Sequence, residues 1–316
     1  MPHVVLVLVE SVNDYLHMLE NQGYELILAP TPASRAEAIA RHGARIDAVL
    51  TRGPLGLQAD EMAALPLLRI ICVIGAGFEQ VDLQAASNLG ITVTFGAGAN
   101  ASSVADHAMA LLLSVVRGIP QADASIRRNE WVKVRQPSLS GKRMGIIGLG
   151  AIGAAIAKRA AHGFDMSIRY HSRQPHPDSP YTYCASVLEL AAAVDFLMIA
   201  TPGGSATHHL VNARVLDALG SEGYLINIAR GSVVDTQALI SALTAGKIAG
   251  AGLDVFEDEP RVPDPLKTLG NVVMTPHVAG QSPDAVEATV QLVVDNLRAF
   301  FAGKPVLTPV PLPHPA

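Results

Sequence analysis

The sequence has little cysteine and little charge, and each shortage excludes a class of protein. Only Cys72 and Cys184 occur among 316 residues, and they do not form a Cys-x-x-Cys pair, so we expect no disulfide framework and a reducing compartment. Charged residues make up 16% of the chain, the formal net charge is −5, and no cluster of lysine and arginine is present. This composition argues against nucleic acid or an anionic membrane as a partner, and we expect a small-molecule ligand.

Long apolar runs are also lacking. The richest aliphatic stretch, Ala108 to Val116, is far shorter than the ~18 to 20 apolar residues that a membrane span requires. The apolar run within Met1 to Glu10 has no basic flank and is too short for a signal peptide. We therefore expect no membrane association and a cytoplasmic location.

The chain does contain the apolar content and patterning of a two-domain α/β protein. Its 316 residues exceed one ordinary core, and 49% of them are hydrophobic. Short β-branched runs alternate with helical stretches, which is typical of βαβ units around mostly parallel sheets. The predicted fold is α/β with two Rossmann-like lobes, namely a flavodoxin-like first domain and a doubly wound parallel-sheet second domain.

The apolar pattern also predicts individual elements. In the first lobe, strands are predicted at Val4 to Val9, Leu26 to Leu28, Ala48 to Leu50, Ile70 to Val73 and Thr92 to Thr94. In the second, they are predicted at Met144 to Ile147, Met166 to Tyr170, Phe196 to Ala200, Tyr224 to Asn227, Gly250 to Leu253 and Val272 to Met274. A helix from Ser103 to Gly118 joins the lobes, and a last helix from Asp284 to Phe301 returns to the first. We accordingly assign residues 1–99 and 284–316 to a discontinuous first domain, and residues 100–283 to a second, Rossmann domain.

A glycine-rich turn predicts the dinucleotide site. A buried strand runs into Gly148-Leu149-Gly150-Ala151-Ile152-Gly153, which fits G-x-G-x-x-G, and an alanine-rich helix from Ala154 to Ala161 follows. The first glycine permits a tight turn, the second lets the backbone approach a pyrophosphate, and the third lets helix and strand pack closely. An ordinary glycine turn is the alternative, but the flanking strand and helix favour dinucleotide binding.

The end of the next strand predicts NADP(H) as the cofactor. NAD-binding versions of this unit carry an acidic residue there, which accepts hydrogen bonds from the ribose hydroxyls. This chain instead has His171-Ser172-Arg173, and a guanidinium with a hydroxyl suits a 2′-phosphate. The alternative is that Arg173 is only a solvated loop residue.

Three segments place acid-base or anion-binding residues after predicted strands. They are Asn227 to Gly231, Leu253 to Pro260 and Thr275 to Gly280. Because ligands of open α/β sheets bind beyond the carboxyl ends of the strands, these side chains are expected to converge beside a bound dinucleotide.

With these motifs the chain resembles the D-isomer-specific 2-hydroxyacid dehydrogenase family, especially its glyoxylate/hydroxypyruvate reductase branch. The resemblance covers essentially the whole length. The matching motifs, in the family's order, are Gly77 to Asp82, Val104 to His107, Gly148 to Gly153, Asn227 to Asp235, Ala251 to Pro260 and Thr275 to Gly280. The resemblance implies a catalytic trio of Arg230, Glu259 and His277, and reduction of a small 2-keto acid to the D-2-hydroxy acid.

The chemistry of that reaction explains the three residue types. Arg230 supplies a permanent cation for the substrate carboxylate and for the charge that grows on the carbonyl oxygen. An imidazole titrates at about pH 6.5, so His277 can donate a proton in reduction and accept it in oxidation. A nearby carboxylate favours the imidazolium form, so Glu259 is expected to keep His277 protonated near neutral pH. Taken singly, each residue also has a structural interpretation: a surface ion pair for Arg230, a solvated loop acid for Glu259 and a hydrogen-bonded structural histidine for His277.

The resemblance implies further cofactor contacts, with Asp254 facing the nicotinamide carboxamide. The remaining residues expected to line the cofactor cleft are Thr201, Pro202, Thr207, Ile228, Ala229, Arg230, His277 and Gly280. The chain has Pro202-Gly203-Gly204-Ser205 where the family usually carries Pro-Leu-Thr, which leaves the contacts of that loop open. The histidines, including the pair His208-His209, do not show metal-ligand spacing with acids or cysteines, so no metal is predicted.

The substrate carboxylate is expected at a small-residue turn of the first lobe. Ile74-Gly75-Ala76-Gly77 follows a strand and would expose backbone N–H groups to an anion, although a tight turn without a ligand is the alternative. Arg52, which ends another strand, is either a contact for a second polar group or a surface arginine. The sequence leaves open glyoxylate, hydroxypyruvate, longer 2-keto sugar acids and arylpyruvic acids.

Two expectations come from the family alone. Transcriptional corepressors share this fold and use dinucleotide binding to control assembly, so a dinucleotide-sensing interaction protein is the alternative to an enzyme. A homodimer is also expected, with the segment from Val116 to Leu139, including Trp131, as its interface.

Overall fold

The computed structural model describes residues 2–314. The strands are β1 (Val4–Val7), β2 (Glu25–Leu28), β3 (Ala48–Arg52), β4 (Ile70–Ile74), β5 (Thr92–Phe95), β6 (Arg143–Ile147), β7 (Ser167–His171), β8 (Thr182–Tyr183), β9 (Phe196–Ile199), β10 (Tyr224–Asn227), β11 (Gly250–Leu253) and β12 (Val272–Met274). The helices are α1 (His17–Glu20), α2 (Pro32–His42), α3 (Ala59–Ala63), α4 (Leu83–Asn88), α5 (Ala101–Arg117), α6 (Ile119–Arg127), α7 (Ala151–Phe164), α8 (Val187–Ala192), α9 (Ala213–Leu219), α10 (Thr236–Thr244), α11 (Asp264–Thr268) and α12 (Pro283–Phe301). Short 3₁₀ helices lie at Asn13–Tyr15, Gly43–Arg45, Ser205–Thr207 and Gly231–Val233.

The chain forms two compact units, of which the first combines the described residues up to Asn100 with those from Gly280 onward. Its five strands are parallel and lie in the order β2-β1-β3-β4-β5, the flavodoxin-like order. The apolar stripe of α12, which includes Val290, Val294 and Leu297, packs on one face of this sheet. Buried side chains of α2, α3 and α4 cover the other face. A flavodoxin-like lobe that includes the C-terminal helix is therefore present.

The second unit, Ala101–Ala279, contains a seven-stranded parallel sheet in the order β12-β11-β10-β9-β6-β7-β8. The chain begins this sheet at β6, adds β7 and β8 on one side, and then returns to add β9 to β12 on the other. The order therefore reverses between β6 and β9, which is the position where ligands bind in doubly wound folds. Helices α5 and α7 bury one face of the sheet, while α8, α9 and α10 bury the other.

Among the described helices, none alone is long and apolar enough to cross a bilayer, and only α5 with α6, a pair bent by 63°, meets the length and composition test together.

The predicted fold class is confirmed, the bounds of the predicted strands and of α5 and α12 agree to within two residues, and three elements differ more. The edge strand β8 was not predicted, because two residues after a polar, proline-containing stretch carry too little periodicity. Helix α6 was not predicted either. Helix α7 begins at Ala151 rather than Ala154, because Gly153 in its first turn has low helix propensity and conceals the start.

Candidate active site

Five neighbouring strands of the second unit, β6 and β9 to β12, end at the same edge of the sheet. Because the sheet is parallel, the loops after these strands emerge together. Those loops contain Gly148, Thr201, Arg230, Asp254 and His277. The sequence segments that were expected to converge therefore lie after adjacent strands.

The glycine loop has the geometry of a phosphate cradle. Gly148 has φ +95°, and a Cβ atom there would lie 2.7 Å from the carbonyl oxygen of Ala200 in the neighbouring loop. A Cβ atom on Gly153 would lie 2.0 Å from the Gly148 carbonyl oxygen, so only glycine lets α7 approach β6. Gly150 instead faces open space, and the first turn of α7 has no side-chain cap. Free N–H groups at a helix N-terminus beside open space fit a pyrophosphate.

Of the three residues at the end of β7, His171 and Ser172 make local contacts and Arg173 faces solvent. The His171 ring lies 3.0 Å from the Cys184 carbonyl oxygen through Nδ1, and the Ser172 hydroxyl donates to the carbonyl oxygen of Gln174. The Arg173 side chain is exposed, and no hydrogen bond or ion pair of its guanidinium is found within residues 2–314. Arg173 is therefore available to an external anion.

The loop after β9 is closed by Thr207 and shaped by Gly203. The Thr207 hydroxyl donates to the Pro202 carbonyl oxygen at 2.8 Å. A Cβ atom on Gly203 would lie 2.9 Å from Cγ of Arg230. The glycine that replaces the family's usual residue at this position therefore leaves room for the Arg230 side chain.

The turn that carries Arg230 is held by the side chain of Asn227. The buried Asn227 side chain accepts a hydrogen bond from the N–H of Ala229 and donates one to the carbonyl oxygen of Arg230, both at 3.0 Å. A Cβ atom on Gly231 would lie 1.9 Å from the backbone of Phe256, so the loops after β10 and β11 are in direct contact. The sequence motif contained Asn227, but its role as the clamp of the Arg230 turn was missed.

Glu259 and His277 form a hydrogen-bonded pair. Nδ1 of His277 lies 2.8 Å from Oε2 of Glu259, and the Phe256 N–H donates to Oε1 at 3.0 Å. Burial opposes ionisation of the carboxyl group, but the hydrogen bonds from His277 and Phe256 and the charges of His277 and Arg230 outweigh it, so the pKa of Glu259 is lowered. Arg230 is therefore close enough to act electrostatically on Glu259, and the three predicted residues lie at one edge of the sheet.

The backbone that presents His277 is fixed by Asp254. The His277 N–H donates to the Asp254 carbonyl oxygen at 2.8 Å, and the completely buried Asp254 carboxylate accepts from the N–H groups of Val278 and Ala279. His277 itself has φ +55°, a left-handed conformation that costs a non-glycine residue about 1 kcal/mol or more. These contacts hold that conformation, a structural role that sequence reasoning did not assign to Asp254.

His107 completes the support of this loop. The Thr275 hydroxyl donates to the Asp254 carboxylate, so its oxygen accepts from Nε2 of His107 at 2.9 Å. The same Nε2 lies 3.4 Å from the Asp254 carboxylate. The signal for His107 was present in the sequence, since it is a polar residue beside the buried stripe of α5, but no function was assigned to it.

The predicted substrate residues of the first unit share one edge of its sheet. Arg52 at the end of β3 pairs in register with Ile74 at the end of β4. Gly75 has φ +80° and its carbonyl oxygen accepts from the N–H of Gly96, which fixes the turn that begins the segment from Ile74 to Gly77.

Comparison with known proteins places this architecture in one family. The family model described as "D-isomer specific 2-hydroxyacid dehydrogenase, NAD binding domain" matches residues 109–279. The hydroxyphenylpyruvate reductase of Plectranthus scutellarioides is 42% identical over 303 residues, covering 95% of this chain and 96% of that protein. The glyoxylate/hydroxypyruvate reductase A HPR2 of Arabidopsis thaliana is 40% identical over 302 residues, with coverages of 95% and 96%.

A solved structure agrees over the full length. The NADPH-dependent glyoxylate/hydroxypyruvate reductase of Sinorhizobium meliloti, in complex with NADP and malonate, superposes with a TM-score of 0.89 at 38% identity and covers 100% of both chains. Together with the glycine cradle, this likeness supports an oxidoreductase that binds a nicotinamide dinucleotide. The chain belongs to the D-isomer-specific 2-hydroxyacid dehydrogenase family, in its glyoxylate/hydroxypyruvate reductase branch.

Proposed function

We propose that this protein reduces a small 2-keto acid of the glyoxylate or hydroxypyruvate kind to the D-2-hydroxy acid with NADPH. The observation that carries the proposal is the Glu259–His277 hydrogen bond, which lies at the sheet edge that also contains Arg230 and the glycine cradle. An acid-base group and a fixed cation next to a dinucleotide site are the requirements of this reaction.

His277 is the proton donor in this proposal. When bound, the nicotinamide supplies the hydride that reduces the keto carbon. The keto oxygen must gain a proton at the same time, and Nδ1 of His277 is already occupied by the Glu259 carboxylate. The transferable proton therefore belongs to Nε2. In the oxidation direction, the same atom accepts the hydroxyl proton.

Arg230 and Glu259 have electrostatic roles. The guanidinium of Arg230 binds the substrate carboxylate and stabilises the charge that develops on the keto oxygen. Glu259 keeps its negative charge because its pKa is lowered, and a constant negative charge beside an imidazole favours the protonated ring. Glu259 thus orients His277 and keeps it ready to donate.

The cofactor is held by the second unit in this proposal. The pyrophosphate binds at Gly148 to Gly153, and the exposed guanidinium of Arg173 pairs with the 2′-phosphate. The other predicted cofactor residues, including Asp254, Thr201 and Gly280, remain predictions. The NADPH dependence of the Sinorhizobium meliloti relative supports the choice of NADPH over NADH.

In the first unit, the turn from Ile74 to Gly77 remains the predicted substrate contact. Backbone N–H groups of the turn from Ile74 to Gly77 receive the substrate carboxylate, and Arg52 lies on the neighbouring strand end. A second candidate function is reduction of arylpyruvic acids, favoured by the 42% identity to a hydroxyphenylpyruvate reductase.

A keto-acid panel tests the proposal. NADPH oxidation is followed by absorbance with glyoxylate, hydroxypyruvate, 2-ketogluconate and hydroxyphenylpyruvate as substrates. We expect the highest kcat/KM for one of the two small acids. A maximum for hydroxyphenylpyruvate would support the second candidate, and tight NADPH binding without turnover on any acid would support a dinucleotide-sensing protein.

We further propose a homodimer formed through the segment from Val116 to Leu139. Several of the exposed large apolar side chains of the described chain lie in this segment, namely Ile119, Ile126, Trp131, Val132 and Val134. Trp131 is 80% exposed, and an apolar patch of this kind is typical of an interaction surface.

A further inference from the structure

A second imidazole–carboxylate cluster lies beside the candidate trio and has no part in the proposed reaction. It consists of His208, His209 and Glu257, which each offer one ligand atom, all within 4.8 Å of one another. Nε2 of His209 lies 2.7 Å from Oε1 of Glu257, and the His208 ring stacks on the His209 ring with 3.9 Å between centroids. The sequence did not reveal this cluster, because Glu257 is distant in the chain from the two histidines.

The backbone that carries the two histidines is fixed. The His209 N–H donates to the Ser232 carbonyl oxygen at 2.8 Å, and the Val211 N–H donates to the Val233 carbonyl oxygen at 3.0 Å. These bonds attach the loop before α9 to the segment that follows Arg230. His209 has φ +49°, a left-handed conformation that the flanking bonds maintain.

The carboxylate is fixed as well. The Thr236 hydroxyl donates to Oε2 of Glu257 at 2.7 Å, while Oε1 faces His209. Burial opposes ionisation of Glu257, but the hydrogen bonds from Thr236 and His209 and the two nearby imidazoles outweigh it and lower its pKa. Glu257 is therefore an ionised, oriented carboxylate with one oxygen directed at the histidine pair.

His208 offers a ring nitrogen as a further possible metal ligand. Within residues 2–314 no hydrogen bond to the His208 ring is found. His208 is exposed, and its ring stacks on the His209 ring through its face, so the edge that carries the ring nitrogens is open to solvent. Two imidazoles and one carboxylate are the ligand set of many three-ligand sites for Zn²⁺ and similar borderline metals, which leave one position for water.

We propose that His208, His209 and Glu257 form a binding site for one divalent transition-metal ion of the Zn²⁺ class. Zinc ligands lie about 2.0 to 2.2 Å from the ion and therefore about 3 to 4 Å from one another. Binding then requires the His209–Glu257 hydrogen bond to open by about half an ångström as its proton leaves, and the His208 ring to rotate inward. The fourth position remains with water.

Metal binding to the full-length protein tests this site without any measurement of activity. Zn²⁺ is titrated by calorimetry after removal of adventitious metal, and Co²⁺ is titrated as a spectroscopic probe of imidazole ligation. We expect one ion per chain, and at least about tenfold weaker binding for His208→Ala and for Glu257→Gln. His208→Ala is the least disruptive change, because the His209–Glu257 pair stays intact.

His162→Ala is the matched control. His162 is an exposed histidine of α7, and its Nδ1 contacts the Lys158 carbonyl oxygen. His162 is not a member of the cluster, so its loss should leave Zn²⁺ affinity unchanged. Equal thermal unfolding temperatures of metal-free variants and wild type show that folding is preserved. Stoichiometric Zn²⁺ binding that is equally tight in His208→Ala, or no stoichiometric binding by the wild type, would overturn the proposal.

Discussion

Nδ1 of His277 lies 2.8 Å from Oε2 of Glu259, at the edge of the seven-stranded sheet where the Arg230 loop also emerges. A carboxylate only accepts hydrogen bonds, so Nδ1 carries a proton and the ring presents Nε2 to whatever binds beside it. The other carboxylate oxygen of Glu259, Oε1, accepts a hydrogen bond from the Phe256 N–H. This bond fixes the carboxylate and therefore the plane of the His277 ring.

The first prediction concerns the pH dependence given by Glu259. Because its pKa is lowered, the carboxylate stays ionised at all pH values above about 4.5, and it favours the protonated imidazole throughout that range. Glu259→Gln removes this charge. The wild-type kcat/KM for keto-acid reduction should therefore fall on acidification below about pH 4.5, as Glu259 takes up a proton, and the Glu259→Gln profile should lack that fall and lie about tenfold lower near neutral pH. The profiles are measured with EDTA present, and superimposable profiles would contradict the assigned role.

The second prediction concerns cofactor choice. Arg173→Ala removes a charge-assisted contact to the 2′-phosphate, which is expected to cost about 1.5 to 3 kcal/mol, or tenfold and more in kcat/KM for NADPH. The value for NADH should change little, since NADH lacks that phosphate. Lys158→Ala, which removes a cation from the same unit, serves as the control. A wild-type enzyme that prefers NADH, or a variant with undiminished NADPH preference, would remove the assignment.

The third prediction concerns acid stability at the start of β6. Hydrogen bonds from the Arg143 side chain lower the pKa of Asp195, which also accepts the Arg143 N–H at 2.8 Å. A depressed folded-state pKa stabilises the protein above about pH 3.8, the ordinary value, and that stabilisation is lost as pH falls through the folded-state value. Asp195→Asn should therefore lower the free energy of unfolding at pH 6 by about 1 kcal/mol after allowance for solvent screening, and with it the unfolding temperature. The variant should lose less stability on acidification than the wild type.

The control for acid stability is Asp178→Asn, an exposed aspartate of the same unit. Its unfolding temperature should follow the wild type from pH 6 to pH 3. If Asp195→Asn also follows the wild type over that range, the pair with Arg143 contributes no measurable stability.

The fourth prediction concerns assembly. If Trp131 is buried between two copies, Trp131→Ser exposes the partner's apolar surface and weakens association, because a large aromatic side chain dominates interface energetics. Light scattering should then show the monomer mass at concentrations where the wild type is a dimer. Leu188→Ser, a change of an exposed apolar residue in α8, should leave the mass unchanged. A monomeric wild type would exclude the dimer.

Sequence reasoning succeeded where one strong local signal existed. The strands β10, β11 and β12 have the predicted bounds because each is a short apolar run between polar turns. The glycine loop was identified because each of its three glycines meets a different steric requirement. The close contacts that a Cβ atom would make at Gly148 and at Gly153 show two of these requirements.

What the sequence could not provide were contacts between segments distant in the chain. The support of the His277 loop by Asp254 and His107, and the meeting of His209 with Glu257, depend on the order of strands in the sheet. Strand order is set by packing of whole helices on the sheet and is not encoded in the periodicity of one segment.

The most direct test of the proposed mechanism is the effect of His277→Ala on turnover and on cofactor binding in the same preparation. Steady-state reduction of hydroxypyruvate should fall by about 10² to 10⁴, the contribution of a positioned general acid, while the Kd for NADPH stays within about twofold of the wild type. Undiminished kcat with hydroxypyruvate in His277→Ala would show that the proton reaches the substrate from another group and would contradict the mechanism.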